Sequence, residues 1–144
     1  MRSILVAVDG SAYSAEAVRV ATDLARRYAS NGVALISVVQ VGPSSTGSTE
    51  VPGSTAGSEA YAVFAKSREI LADAGIQERL LLRQGDPASE IVKEARTGGY
   101  DLIVVGSRGL SPFKAFLIGS VSQRVVSNAH CSVLVVRPLP EEGV

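Results

Sequence analysis

The chain has 144 residues, of which 46% are hydrophobic and 19% are charged, a length and composition typical of one globular domain and not of a disordered chain. Its 14 basic residues balance its 14 acidic residues, which argues against a nucleic acid as the main partner, because proteins that bind polyanions usually carry a basic excess. The single cysteine, Cys131, excludes an internal disulfide, and with the single histidine, His130, it argues against a His/Cys metal site.

The chain begins with a strand and a helix. A continuous apolar run at 4–8 predicts a strand that is buried on both faces. It ends in an acidic turn at Asp9, and the helix that follows has Ser11 or Ser14 as its N-cap. This helix is expected to end near Gly32, because glycine is a common C-cap residue.

The middle of the chain contains one long segment without a structural pattern. After a second strand at 33–41, residues 42–57 are nearly all Gly, Ser, Thr and Pro, and they are expected to form a flexible loop. A second helix is predicted at 58–74 and a third strand at 79–84.

The second half of the chain repeats the alternation of helices and strands. Asp86 followed by Pro87 is typical of a helix start, because the carboxylate caps free N–H groups and proline suits the first helical position. The remaining predicted elements are a strand at 101–105, a helix at 120–128, a strand at 132–137 and a frayed tail at 139–144.

This order of elements predicts a single α/β domain over residues 1–144. Strands that alternate with helices form βαβ units, and hence a three-layer, open, five-stranded parallel sheet with helices on both faces. In such sheets the ligand binds beyond the carboxyl ends of the strands, where the strand order reverses. If the first strand lies beside the fourth, Asp9 and the loop at Gly106 meet at that crevice.

A cytoplasmic location is expected. No apolar run is long enough to span a membrane, and the five apolar residues before Asp9 are too few for a signal peptide.

Glycines follow the fourth strand at a spacing that suits phosphate binding. Two residues separate Gly106 from Gly109, and nine more precede Gly119 and Ser120. Glycines let the backbone approach a phosphate, and the start of the next helix offers free N–H groups and the positive end of a dipole. A Gly-x-x-Gly pair alone is better explained as a turn, but the strand before it and the helix after it favour a phosphate site. The P-loop and dinucleotide motifs are absent, which argues against a P-loop NTPase and a dehydrogenase.

The expected phosphate donors belong to this loop and to the helix start. They are the hydroxyls of Ser120 and Ser122 and the backbone N–H groups of Gly109, Gly119, Ser120, Val121 and Ser122. Arg108 and Lys114 are either cations near the phosphates or solvated loop residues, and Arg124 has the same two interpretations.

These features together resemble the universal stress protein family, in its ATP-binding branch. The family's ATP-binding signature is Gly, two residues, Gly, nine residues, then Gly and Ser or Thr, which the glycine motif matches without a gap. The resemblance covers residues 4–138 and is carried by the motif and by residues 4–11, 101–106 and 132–138. It implies a Rossmann-like fold, similar to adenine nucleotide alpha hydrolases, with the expected strand order 3-2-1-4-5, and it implies bound ATP with magnesium or manganese.

The resemblance also implies contacts with the nucleotide. Asp9 would contact it, and a carboxylate at this point could hold a magnesium ion that bridges the phosphates; the alternative is a turn or helix-cap residue. The backbone of Val38 would meet the adenine edge, and Ala7 and Val105 would line the same crevice.

Three functions are open: an ATP-binding regulator in a stress response, a slow ATP hydrolase or self-phosphorylating enzyme, and an interaction module without nucleotide. Phosphoryl transfer needs a positioned base, and no His or Glu stands beside the donors, although Ser111, Ser120 and Ser122 are conceivable acceptors. The intact glycine motif argues against the interaction module. His130 and Cys131 lack an acidic partner in a recognisable place and are interpreted as structural.

The last strand indicates a homodimer. Residues 133–136 are apolar, and the expected strand order places them at an edge of the sheet, where unpaired N–H and C=O groups need a cover. Nothing after Pro138 is long or apolar enough to cover this edge. A second copy is therefore expected to pair with residues 132–137 across a two-fold axis, as dimers of the family often do.

Overall fold

The computed structural model describes residues 3–28, 30–40, 61–108 and 118–138, which form a five-stranded parallel sheet with helices on both faces. The strand order is β3-β2-β1-β4-β5, so the predicted fold class and strand order are confirmed. The strands are β1 (Ile4–Ala7), β2 (Val33–Val39), β3 (Glu78–Gln84), β4 (Leu102–Gly106) and β5 (Ser132–Val136).

Four helices connect these strands within the described ranges. They are α1 (Ala12–Arg27), α2 (Ala65–Asp73, after a 3-10 turn at Ala62–Phe64), α3 (Pro87–Thr97) and α4 (Ser120–Asn128). In the part of the chain that the structure describes, none of the helices is long and apolar enough to cross a membrane.

Each face of the sheet has its own hydrophobic core. Val6 and its neighbours pack against α1 and α2, whereas Leu5 and its neighbours pack against α3 and α4. Successive strand residues point to opposite faces, so a strand covered on both faces must be apolar throughout. This requirement explains the continuous apolar runs in β1 and β4, where Leu5, Val6 and Val104 are fully buried.

The start of α1 is settled and its predicted end is wrong. Ser11 is the N-cap, and its hydroxyl oxygen accepts the N–H of Ser14 at 3.1 Å. The helix ends at Arg27, well before Gly32. Gly32 has a φ of +123°, and a Cβ there would be 2.9 Å from the carbonyl oxygen of Gln77. It therefore serves the approach of β2 to β3 and not the end of α1.

The other boundaries differ by smaller amounts. The strand predicted at 33–41 ends at Val39, and the helix predicted at 58–74 ends at Asp73, with its first residues outside the described ranges. Asp86 caps α3 as predicted, and the helix at 120–128 is confirmed. The predicted loop at 42–57 and the tail at 139–144 lie outside the described residues.

Candidate functional site

A cleft of about 200 Å³ lies at the carboxyl ends of β1 and β4. These strands are direct neighbours, with Val6 paired to Val104, and the strand order reverses between them. The turn at Asp9 and the segment after Gly106 therefore share one edge of the sheet, as a doubly wound sheet requires of its ligand site.

Every predicted site residue that the structure describes lines this cleft. They are Ala7, Asp9, Val38, Val105, Gly106, Arg108, Gly119, Ser120, Val121 and Ser122. Gly109 and Lys114, like Ser111, lie outside the described residues.

Five lining residues were missed from the sequence: Val8, Ser14, Ile36, Pro87 and Ile91. Ile36 could have been found, because it lies two positions before Val38 and strand side chains repeat every second residue. Pro87 and Ile91 are on α3. Together with Val38 they belong to the apolar part of the cleft lining, here called the apolar wall. The way in which α3 folds back over the sheet is a tertiary feature that no local pattern encodes.

The start of α4 differs from the starts of α1 and α3. Ser11 and Asp86 cap their helices with side-chain oxygens, whereas the N-cap residue of α4 is Gly119, and no side chain of the described residues caps this helix. The N–H groups of a first turn have no partner inside the helix, so an uncapped start in a cleft suits an anion.

Two of the predicted donors are already engaged within the protein. The N–H of Gly119 donates to the carbonyl oxygen of Ser107 at 2.7 Å, and the hydroxyl of Ser122 donates to the carbonyl oxygen of Gly106 at 2.6 Å. These bonds fasten the start of α4 to the end of β4. The remaining predicted donors here are the backbone N–H groups of Ser120, Val121 and Ser122 and the hydroxyl of Ser120.

The glycine at position 106 is explained by packing. A Cβ on Gly106 would lie 2.9 Å from the carbonyl carbon and oxygen of Tyr13, in the first turn of α1. Such a distance requires the backbone to shift. At Gly119, by contrast, a Cβ would be in ordinary contact, 3.5 Å from the nearest atoms of Arg108 and Ser107.

Arg108 brings a cation to the cleft. Its Nε is buried and has no hydrogen-bond partner among the residues that the structure describes, and its guanidinium lies over the ring of Tyr13. A buried donor without an acceptor costs free energy. Arg108 lines the cleft, and a guanidinium pairs strongly with phosphate oxygens, so the donor set fits a phosphate.

Asp9 has a structural role that the geometry shows directly. Its Oδ1 accepts the N–H of Ser11 at 2.9 Å, and its own N–H donates to the hydroxyl of Ser14 at 3.3 Å. Among the described residues no three His, Cys, Asp or Glu side chains form a metal cluster. A cation held by Asp9 would therefore need further oxygen ligands from phosphates and water.

Arg124, for which two roles were open, forms an ion pair with Asp86. Nη1 of Arg124 donates a hydrogen bond of 2.9 Å to Oδ1 of Asp86, and Nη2 lies 2.9 Å from Oδ2, so the pair joins α4 to the start of α3. Hydrogen bonds from Arg124 and then from Ser89 hold the pKa of Asp86 well below its usual range, and the carboxylate raises the pKa of Arg124.

Cys131 is half-buried and packs against the core beneath α3 and α4. Burial raises the pKa of its thiol, which favours the unreactive protonated form. This environment agrees with a structural role for the residue.

Comparison with known proteins identifies relatives along almost the whole chain. A family model described as the universal stress protein family matches residues 1–137. A universal stress protein of Bacillus subtilis is 35% identical over 148 residues, covering 93% of this chain and 97% of its own. One from Methanocaldococcus jannaschii is 34% identical over 145 residues, covering 98% and 85%. Among solved structures, a universal stress protein in complex with cAMP superposes with a TM-score of 0.71 at 25% identity, covering 94% of this chain and 96% of that one.

Proposed function

Because the chain belongs to the universal stress protein family, we propose that it binds ATP in the cleft at the ends of β1 and β4 and acts as a nucleotide-dependent regulator in a stress response. The observation that carries this proposal is that one cleft is lined by Arg108, whose buried Nε has no hydrogen-bond partner among the described residues, and by the start of α4, which no described side chain caps. The similarity to a protein that binds cAMP supports an adenine nucleotide as the ligand class.

The cleft lining contains both polar donors and apolar residues, which suit the phosphates and the base of a nucleotide. The N–H groups of Ser120, Val121 and Ser122 and the Arg108 guanidinium would donate to phosphate oxygens. The apolar wall, which includes Val38 and Ile91, would hold the base. A bound magnesium or manganese ion would neutralise phosphate charge, with Asp9 as its protein ligand.

The lining residues favour a binding protein over an efficient enzyme. Among the described residues of the cleft, Asp9 is the only acidic side chain, and its Oδ1 already accepts a backbone N–H. Fast phosphoryl transfer requires a group that positions or deprotonates the nucleophile. Slow hydrolysis or self-phosphorylation would be a secondary activity of the same site. The cytoplasmic location expected from the sequence stays a prediction.

The test is calorimetric titration of ATP into three proteins: the wild type, Gly119→Val and Ser127→Val. A Cβ fits at position 119, where the backbone φ is −64°, so the fold should survive while the added side chain occupies the space beside the phosphate donors. Ser127→Val adds valine to an exposed position of the same helix and is the control.

We expect saturable binding to the wild type and to the control, and no binding to Gly119→Val. Wild-type affinity in a folded Gly119→Val would refute the phosphate site. Mass spectrometry of small molecules released from the denatured wild-type protein identifies the natural ligand independently, and we expect an adenine nucleotide.

A further inference from the structure

Tyr13, in the first turn of α1, contacts Arg108 of the cleft wall. The guanidinium carbon of Arg108 is 5.7 Å from the centroid of the Tyr13 ring, a distance typical of a cation–π pair. Tyr13 is half-buried, and no pattern in the sequence singled it out.

The position of Tyr13 is fixed by its backbone. Gly106 packs so closely against it that a Cβ would come within 2.9 Å of the Tyr13 carbonyl group. Ser11 caps the same turn through Ser14, and Gly106 in turn accepts the hydroxyl of Ser122 from α4. The ring therefore belongs to a turn of α1 that packs against the end of β4. The end of β4 is in turn hydrogen-bonded to α4.

The Tyr13 ring restricts the Arg108 side chain before a ligand binds. A free arginine side chain has many rotamers, and ordering it when a ligand binds costs conformational entropy. With its guanidinium already on the ring and its Nε without a partner among the described residues, much of that ordering precedes binding. A cation held in this way attracts anionic phosphates and has no preference for a neutral nucleoside.

We propose that Tyr13 is a positioning residue, whose ring holds the Arg108 guanidinium near the proposed phosphate donors and so makes the site select nucleotides over nucleosides. This inference rests on the proposed nucleotide binding. Tyr13 acts through Arg108 and need not contact the ligand.

The first measurement compares the affinities of ATP and of adenosine in the wild type, Y13L, Y13M and Y13F. Y28L is the matched control, because Tyr28 follows the far end of the same helix and is 59% exposed. Loss of the ring in Y13L or Y13M should weaken ATP binding by about threefold to tenfold, the range expected when one long side chain must be ordered on binding. Adenosine binding should not change, and Y13F, which keeps the ring, should bind ATP like the wild type.

The second measurement is a double-mutant cycle between Tyr13 and Arg108. If the ring acts through the guanidinium, Y13L/R108Q should bind ATP no more weakly than R108Q alone. Thermal melts establish which variants fold, and either of Y13L or Y13M is sufficient.

Three results would overturn the inference: ATP affinity in the folded ring-less variant equal to that of Y28L, equal losses for ATP and adenosine, or additive losses in the cycle. Failure of the proposed function looks different, because the wild type itself would then not bind ATP. If the wild type binds ATP, G119V abolishes binding and the ring-less variants do not weaken it, only the role of Tyr13 is wrong.

Discussion

At the scale of single residues, the two described glycines of the motif meet different requirements. Gly106 is limited by the backbone of Tyr13, 2.9 Å from where a Cβ would lie, whereas Gly119 has room for a side chain. The motif thus has glycine at position 106 because a side chain would not fit there, and glycine at position 119 leaves space beside a proposed ligand site.

Gly106→Ala should therefore destabilise the protein, by about 1–3 kcal/mol as for other overpacked sites. Gly119→Ala should change the unfolding free energy much less, since its Cβ makes only ordinary contacts. Urea unfolding of both variants measures the difference. Equal stabilities would show that the contact with Tyr13 relaxes without cost.

The two roles of Asp9 can be separated by one substitution. Asp9→Asn keeps an oxygen that can accept the N–H of Ser11 but removes the negative charge. If the carboxylate holds a divalent cation, the variant should keep its thermal stability while ATP binding loses its dependence on magnesium. Calorimetry with and without magnesium decides this, and an unchanged magnesium dependence would leave Asp9 as a turn residue alone.

Candidate residues were predictable from the sequence wherever a local pattern encodes them. The motif spacing placed Gly119 and Ser120 in the cleft, and the acidic turn placed Asp9 there. Pro87 and Tyr13 were not predictable, because a wall contributed by another helix and a ring beneath a guanidinium depend on packing between elements distant in sequence.

At the scale of elements, the ion pair between Asp86 and Arg124 joins the start of α3 to the middle of α4, and both helices contribute residues to the cleft lining. Asp86 also caps α3 by accepting the N–H of Ser89 at 3.0 Å. Asn is an equally good cap, so Asp86→Asn removes the ion pair and keeps the cap.

The pair should make stability depend on pH in the acid range. The pKa of Asp86 is lower in the folded protein than its ordinary value of 3.8, so its stabilising effect is complete above that value and is lost as the pH falls below it. Wild type should exceed Asp86→Asn in stability at pH 7 by a small amount that salt reduces, because both partners are exposed.

Urea unfolding at pH 7 and near pH 3 provides the comparison. We expect the stability difference to narrow at the lower pH, and Arg124→Gln to reproduce the neutral-pH loss. A difference that does not vary with pH would mean that the carboxylate charge makes no contribution.

The types of the elements followed from hydrophobic periodicity, since strands covered on both faces must be apolar and helices covered on one face must be amphipathic. The ends of the elements could be predicted only where the sequence carries a local signal, such as Asp86 before Pro87. The predicted end of α1 was wrong because the glycine at position 32 is required by the nearby carbonyl of Gln77, on another part of the chain, and does not cap the helix.

At the scale of the whole molecule, the strand order places β5 at an edge of the sheet. Val133, Leu134 and Val135 are only partly buried there. The proposed homodimer would cover this edge by pairing two copies of β5 antiparallel.

Val135→Lys should weaken such a dimer more than it weakens ATP binding, because the proposed phosphate site belongs to one protomer. Ala72→Lys adds the same charge at an exposed position of α2, a helix that packs on α1, and should leave the dimer intact. Light scattering at micromolar concentration gives the mass of each variant. A monomer mass for the wild type would contradict the pairing of edges.

Binding of ATP phosphates at the start of α4 is tested most directly by backbone amide NMR of the wild-type protein during titration with ATP and, separately, with adenosine. The amide signals of Ser120, Val121 and Ser122 should shift saturably with ATP and much less with adenosine, because these N–H groups would donate to the phosphates. Amides at this helix start that stay unchanged at millimolar ATP, or saturable shifts confined to another surface, would contradict the site.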